Sequence, residues 1–166
     1  GTHTSGIAGA ATNNGLGIAS ISYNVKIMAV KTKIDASSGG SLQTPYLGVE
    51  YAIAAGANVI SMSWGGGAYS QTYQNLFDLA YSMNILCVAA AGNSNTNIPM
   101  YPASYNYVIS VGATDANDLK ASFSNYGSTV DVMAPGVGIF SCLAGNNSSY
   151  GNLSGTSMAC PLVSGL

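Results

Sequence analysis

The sequence of 166 residues predicts an α/β fold with a parallel sheet. Short apolar runs at 59–62 and 85–91 have the length of buried strands, and a segment with helical spacing precedes each of them. The alternation of strand and helix is typical of parallel strands joined by right-handed crossovers. Because no repeat, low-complexity tract or linker interrupts the chain, we expect residues 1–166 to form a single domain.

The first third of the chain contains three further elements. Residues 1–11 are rich in glycine and alanine and predict a closely packed helix that carries His3 near its start. Residues 25–30 follow an alternating pattern that predicts a strand. Residues 42–55 have helical spacing, and Gly56 is expected to end that helix.

The remaining elements follow in order. A helix is predicted at 69–83, between the two apolar strands, and the polar stretch 35–40 is predicted to be a flexible loop. Beyond Asn95 the pattern changes to short strands separated by turns. These strands are predicted at 107–112, 121–123, 130–133 and 138–141.

The composition excludes several classes of function. Charged side chains make up 6% of the residues and the net charge is −2, with no arginine. A nucleic-acid partner would need a basic patch, so we expect none. No apolar run has the length of a membrane span, and the three cysteines have no CxxC spacing that would indicate a metal site. A surface with so little charge is in keeping with a secreted protein, which we expect to be a monomer.

Ser157 lies where a polar, glycine-rich loop opens into a stretch of apolar and small residues, which predicts the start of a helix. A serine hydroxyl at a helix N-terminus lies beside free backbone N–H groups, which can stabilise the oxyanion that forms when the serine attacks a carbonyl. Gly155 lets another backbone approach closely. The alternative is that Thr156 or Ser157 only caps the helix.

Two other residues could complete a nucleophilic site. His3, the single histidine, lies among small residues that leave room for a substrate or a second strand. Asn93 follows the strand predicted at 85–91, and ligands of open parallel sheets bind at that carboxyl edge. Its carboxamide could donate a hydrogen bond to an oxyanion. The alternatives are a structural histidine and a turn asparagine in the left-handed conformation.

Five motifs in this order resemble those of the subtilisin-like serine peptidases, the subtilases. They are the histidine motif at 1–3, the substrate-binding strand at 61–66, the oxyanion-asparagine segment at 89–93, the structural turn at 131–136 and the nucleophile motif at 155–161. Each motif alone is weak evidence, but together they cover nearly the whole chain in register. The resemblance implies the three-layer subtilisin-like fold, truncated at both ends, and serine endopeptidase activity on protein or peptide substrates.

The resemblance also implies catalytic roles. Ser157 would attack the scissile carbonyl, and His3 would take its proton and later give it to the leaving amine. The Asn93 side chain and the Ser157 N–H would hold the oxyanion. The acid of the triad precedes the histidine in subtilases, and none of the later aspartates is expected to replace it; these are Asp35, Asp78, Asp115, Asp118 and Asp131. We therefore expect residues 1–166 to be a fragment of a peptidase, nearly inactive and poorly stable alone.

Substrate contacts are implied in the same way. An extended peptide would pair as an added strand with one segment, Ser63, Trp64 and Gly65. The first specificity pocket would be lined by Ala90, Ala91 and Gly92. Met100 aligns with the floor of that pocket, and its bulk is expected to shorten it. Trp64 would either border a hydrophobic subsite with Leu42 and Pro45 or pack in the core.

No cofactor is expected, although calcium is possible in a full-length protein. Subtilases often bind calcium after the histidine helix, but the loop at 12–17 is short and has no carboxylate to bind the cation. The competing function is that of a non-catalytic subtilase relative that binds peptides in the same groove. An α/β-hydrolase would need the sequence G-x-S-x-G, which does not occur.

Overall fold

A parallel sheet of four strands forms the centre of the structure, a computed structural model that describes residues 1–33 and 42–166. The strands lie side by side in chain order and all pair in parallel. Their bounds are β1 Val59–Met62, β2 Leu86–Ala90, β3 Val108–Thr114 and β4 Val132–Pro135. An antiparallel hairpin follows, formed by β5 Ile139–Cys142 and β6 Tyr150–Leu153. The predicted α/β fold is confirmed.

Helices cover both faces of the sheet. Their bounds are α1 Thr2–Gly9, α2 Pro45–Ala54, α3 Gln71–Ser82 and α4 Thr156–Ser164. Successive side chains of a strand point to opposite faces, and in β2 the side chains of Cys87 and Ala89 pack with α2 and α3, whereas Val88 and Ala90 pack against α4. The result is three layers of helix, sheet and helix. Burial on both faces explains why this strand is apolar from Cys87 to Ala90.

The sheet brings the ends of β1 and β2 together. Met62, the last residue of β1, pairs with Ala89 of β2. The segments after these strands, which begin at Ser63 and Ala91, therefore leave the sheet at the same carboxyl edge. This is the edge at which parallel sheets bind ligands.

The strand predicted at 25–30 is wrong. This segment has no strand partner among the described residues and runs between two helices. The side chains of Val25 and Ile27 lie against Gly9 of α1, and Val30 lies against Gly48 of α2. A strand requires a neighbour that satisfies its N–H and C=O groups, and β1 pairs only with β2 in the part of the chain that the structure describes.

The strand predicted at 121–123 is also wrong, because this segment turns to contact two different elements. The Ala121 N–H donates to Ala113 of β3 at 2.8 Å, and the Phe123 carbonyl accepts from Asn95 N at 2.8 Å. The other predicted elements are present with ends shifted by a few residues. The predicted loop at 35–40, including Asp35, lies outside the described residues. None of the described helices has the length and apolar character to cross a membrane.

Candidate active site

Ser157 is the second residue of α4 and is partly buried. Its Oγ donates to the carbonyl oxygen of Ser63 at 3.1 Å, and the Ser63 Oγ donates to the Ser157 carbonyl at 2.8 Å. These two bonds fasten the segment after β1 to the start of α4. The residue at the N-cap position is Gly155, which makes no side-chain cap. The alternative in which Thr156 or Ser157 caps the helix is therefore wrong.

Asn93 supplies the missing cap from the neighbouring loop. Its Oδ1 accepts from the Thr156 N–H at 2.8 Å and from the Thr156 hydroxyl at 3.0 Å. The Thr156 Oγ1 in turn accepts from Gly92 N at 3.1 Å. Because both groups that reach Oδ1 are donors, Nδ2 is fixed as the outward N–H₂ of the carboxamide. Asn93 does not have the positive φ of the turn alternative, which Asn95 has instead.

His3 lies in the first turn of α1 and is buried, with 7% of its surface exposed. Its Nε2 is 3.1 Å from the carbonyl oxygen of Gly151 in β6, and its own carbonyl accepts from the Ser141 hydroxyl at 2.8 Å. Its Nδ1 is buried and has no hydrogen-bond partner. The hairpin β5–β6 therefore holds the histidine at its backbone and at one ring nitrogen.

The structure brings Asn93 and Ser157 together but gives His3 and Ser157 no mutual hydrogen bond. The Ser157 hydroxyl is directed at Ser63 and the imidazole at Gly151. The two residues belong to α4 and α1, which pack against each other. Rotation about the χ1 angle of the serine redirects its hydroxyl between staggered positions without moving the backbone.

The residues expected to contact substrate surround the same edge. Met100 fills the space between Gly65 and Gly92: its Cε is 3.3 Å from the place a Cβ on Gly65 would take and overlaps the corresponding place on Gly92. Trp64 is partly buried and packs edge-on against Tyr46, with ring centroids 5.2 Å apart.

A cavity of about 500 Å³ opens beside this tryptophan. It is lined by Leu42, Pro45, Tyr46, Ser63, Trp64, Gly65 and Gly66. The ring of Trp64 packs on the core and also borders this cavity, so the structure excludes neither alternative for Trp64.

Two of the three cysteines, Cys87 and Cys160, are buried and do not compete with Ser157 as nucleophiles. Cys160 lies one turn further along α4 and is fully buried, and burial raises the pKa of its thiol. Burial also raises the pKa of Cys87 to about 11. Thiolate is the reactive form, so both thiols are held in the unreactive state. All three cysteines are free, and the described residues contain no group of His, Cys, Asp and Glu side chains that could hold a metal ion.

Sequence reasoning missed two residues that shape the site. Thr156 is fully buried and links Gly92 to Asn93. Asn125 is also buried and hydrogen-bonds the loop that carries Asn93, although its sequence context indicates only a turn. The position of Thr156 next to Ser157 was a usable signal. No local signal marks Asn125, because its partners lie about thirty residues away in the chain.

A serine at a helix N-terminus and a carboxamide donor beside it lie at the carboxyl edge of the parallel sheet. A buried histidine lies on the helix that packs against the serine's helix. These are the kinds of group from which serine-peptidase sites are built. A sequence profile described as the subtilase family, Peptidase_S8, matches residues 1–166. The chain belongs to this family.

The similar proteins agree with this assignment. The chain is 46% identical over 166 residues to the "Thermophilic serine proteinase" of Bacillus sp. (strain AK1), covering 100% of this chain and 41% of that protein. It is also 46% identical to "Thermitase" of Thermoactinomyces vulgaris, covering 100% of this chain and 58% of the relative. A solved protease structure from Pseudoalteromonas arctica PAMC 21717 superposes with a TM-score of 0.87 at 35% identity, over 98% of this chain and 55% of that one. The chain thus spans roughly half the length of these relatives.

Proposed function

We propose that the protein is a serine endopeptidase that cleaves peptide bonds through an acyl-enzyme on Ser157. The observation that carries the proposal is the fixed orientation of the Asn93 carboxamide. With Oδ1 bonded to Thr156, Nδ2 is a preorganised donor. Asn93 Nδ2 and Ser157 N lie 3.5 Å and 3.6 Å from the place that a Cβ on Gly155 would take. Two such donors are what an oxyanion hole requires, and preorganised donors are the largest contribution in many acyl-transfer enzymes.

The proposed role of His3 depends on its tautomer. A carbonyl oxygen can only accept, so the contact with Gly151 requires a proton on Nε2, and in the neutral imidazole Nδ1 is then an acceptor without a partner. A general base for Ser157 needs the opposite tautomer, in which Nδ1–H donates to a carboxylate and Nε2 accepts from the serine hydroxyl. A carboxylate at Nδ1 would satisfy the orphaned nitrogen and free Nε2 from Gly151 at the same time.

The four aspartates in the described residues are not arranged for this role. Asp78 accepts from Gln74 on α3, Asp115 accepts from the turn that contains Asp118, and Asp131 accepts from Ser110 N at 2.8 Å. We propose that the triad carboxylate belongs to a part of the protein that the described residues do not contain. A form that lacks this carboxylate should then turn over about four orders of magnitude more slowly than a form that includes it.

The proposed substrate is an extended polypeptide that pairs with Ser63, Trp64 and Gly65. These residues follow β1 at the carboxyl edge, and Ser63 is fastened to Ser157 by two hydrogen bonds. Backbone pairing of this kind binds any sequence, while side-chain pockets supply the preference. The 500 Å³ cavity beside Trp64 would receive an apolar substrate side chain.

Met100 is proposed to restrict the first specificity pocket. Its side chain occupies the space between Gly65 and Gly92, where a large substrate side chain would otherwise enter. Small residues at the cleavage position would fit without moving it. Secretion is proposed on two grounds. The chain carries little charge, and one relative is named "Cell wall-associated protease", from Bacillus subtilis (strain 168), 43% identical over 97% of this chain and 18% of that protein.

The test is hydrolysis of an unstructured protein such as reduced casein by the longest form of the protein that the gene encodes. We expect internal peptide bonds to be cut and Ser157→Ala to abolish cleavage. Ser94→Ala is a matched control, because Ser94 is exposed, lies in the Asn93 loop and contributes only its backbone N–H to the bonding there. Cleavage that survives Ser157→Ala would contradict the proposal.

A non-catalytic peptide-binding protein is the second candidate. It is favoured by one observation: the Ser157 hydroxyl and the imidazole of His3 are each bonded to a backbone carbonyl rather than to each other. That function predicts binding of extended peptides with no cleavage, and the same affinity in the wild type and in Ser157→Ala. Measuring binding and cleavage on one labelled peptide separates the two candidates.

A further inference from the structure

The loop that follows β2 carries the proposed oxyanion donor and is held from two sides. Thr156 of α4 holds it on the side of Ser157. On the other side lies Asn125, in the segment that follows β3. We propose that Asn125 is a positioning residue for the reaction: it fixes the position of Asn93 and does not contact the substrate. This inference rests on the proposed peptidase function.

Asn125 bonds the chain immediately before and after Asn93. Its Nδ2 donates to the Ala91 carbonyl at 2.8 Å, and its Oδ1 accepts from Ser94 N at 3.0 Å and from Thr96 N at 3.3 Å. Its own backbone N–H donates to the Gly92 carbonyl at 2.9 Å. One side chain therefore uses both ends of its carboxamide to fix a loop of six residues whose third member is Asn93.

The carboxamide is required by the chemistry of its partners. A carbonyl needs a donor and two N–H groups need an acceptor, and the asparagine side chain offers both on separate atoms, Nδ2 and Oδ1. Asn125 is 4% exposed, so water cannot replace these bonds, and each buried group left without a partner costs about 1–3 kcal/mol. The loop would relax to recover those bonds, and Asn93 would move with it.

Asn125 is itself anchored to the sheet. The hydroxyl of Ser124, which is fully buried, donates to the Asn125 carbonyl at 2.9 Å and accepts from Ala113 N of β3 at 2.9 Å. The oxyanion loop is thereby tied through Asn125 to the adjacent strand. A rigid connection matters because displacement of a catalytic group by about 1 Å can cost a hundredfold in rate.

The test is a double-mutant cycle on the longest form of the protein that the gene encodes, with kcat and KM measured on a peptide substrate. We expect Asn125→Ala to lower kcat at least tenfold and to change KM less than twofold. In the background of Asn93→Ala, the same change should lower kcat less than twofold, because the donor that Asn125 positions is already absent. Equal losses in both backgrounds would show a general structural role and overturn the proposal.

Gln74→Ala is the matched control. Gln74 is a buried carboxamide, 5% exposed, that exchanges hydrogen bonds with Asn106 on the far side of the sheet. Its removal should lower stability to a similar extent and leave kcat within twofold of the wild type. A loss of kcat as large as that of Asn125→Ala would overturn the proposal. Asn125→Asp, which keeps the acceptor and loses the donor to Ala91, should also lower kcat and provides a second variant if alanine is not tolerated.

A second readout separates this inference from the proposed function. In ¹⁵N-labelled protein the side-chain N–H₂ resonances of Asn93 are assigned by their loss in Asn93→Ala. Asn125→Asp should shift or broaden them, and Gln74→Ala should leave them in place. If the wild type does not cleave peptides, the proposed function fails, whereas unchanged Asn93 resonances in Asn125→Asp overturn the positioning role whatever the activity.

Discussion

Replacing Gly92 by alanine tests the packing behind the proposed oxyanion hole. Gly92 has φ +108, which side chains other than hydrogen rarely tolerate, and a Cβ there would overlap the methyl group of Met100 and the Nδ2 of Asn125. Both neighbours belong to the proposed site. The substitution therefore adds backbone strain and crowding at one point.

The two costs can be estimated separately. A left-handed conformation costs an L residue roughly 1–2 kcal/mol, and overfilling a packed site costs about 1–3 kcal/mol. Together they should lower the free energy of unfolding by about 2–5 kcal/mol. For a protein of this size each kcal/mol corresponds to about 2–4 °C in Tm, so Tm should fall by roughly 4–20 °C.

Urea unfolding followed by fluorescence gives the free energy of unfolding for wild type and variant. Gly138→Ala is the matched control, since Gly138 has φ +66 and open space at the Cβ position; it should show the backbone cost alone. Adding Met100→Ala to Gly92→Ala should recover about 1 kcal/mol or more in a double-mutant cycle. If Gly92→Ala costs no more than Gly138→Ala, the packing described between Gly92, Met100 and Asn125 is refuted.

Four further outcomes are expected. Asn93→Ala should lower kcat by about 10²–10³-fold with little change in KM, as loss of an oxyanion donor does; a loss confined to KM would contradict this role. Met100→Gly should raise kcat/KM for peptides with phenylalanine at the cleavage position by about tenfold or more, and no gain would remove Met100 from the pocket. Burial raises the pKa of Cys87 from 9.0 to about 11. The contribution of this thiol to the free energy of unfolding is therefore complete below pH 9 and falls by up to about 3 kcal/mol as the pH rises to 11. In Cys87→Ala the free energy of unfolding should fall less over this pH range, and an equal fall in variant and wild type would refute the role of Cys87. Asp131→Ala removes the side-chain acceptor of Ser110 N and should lower the free energy of unfolding by about 1–3 kcal/mol. An unchanged free energy of unfolding would show that this hydrogen bond is dispensable.

The elements with strong patterns could be predicted from the sequence. The run from Ile85 to Ala91 is apolar, and from Cys87 onward it is buried on both faces of the sheet. The short length of the run then favours a strand over a helix. Asn93 and Ser157 could be placed at one site because each lies in a local motif at the end of a secondary-structure element. Asn93 follows β2, and Ser157 lies at the start of α4. In the structure Asn93 is hydrogen-bonded to Thr156, the residue next to Ser157.

The remaining features depend on contacts that local patterns do not encode. The segment 25–30 has a strand-like pattern, but a strand also needs a paired neighbour, which it lacks among the described residues. Asn125 acts through partners that are distant in sequence. The orphaned Nδ1 of His3 is a property of the folded surroundings, and a motif search sees only that a histidine is present.

The most direct test of the account is covalent labelling by a phosphonyl fluoride, which requires an activated serine beside an oxyanion hole. Applied to the longest form of the protein that the gene encodes, and mapped by mass spectrometry, it should modify Ser157 at one site per chain, and His3→Ala should slow the reaction by several orders of magnitude. An unmodified Ser157, or a rate of modification that does not change in His3→Ala, would contradict the assignment of these two residues as nucleophile and base.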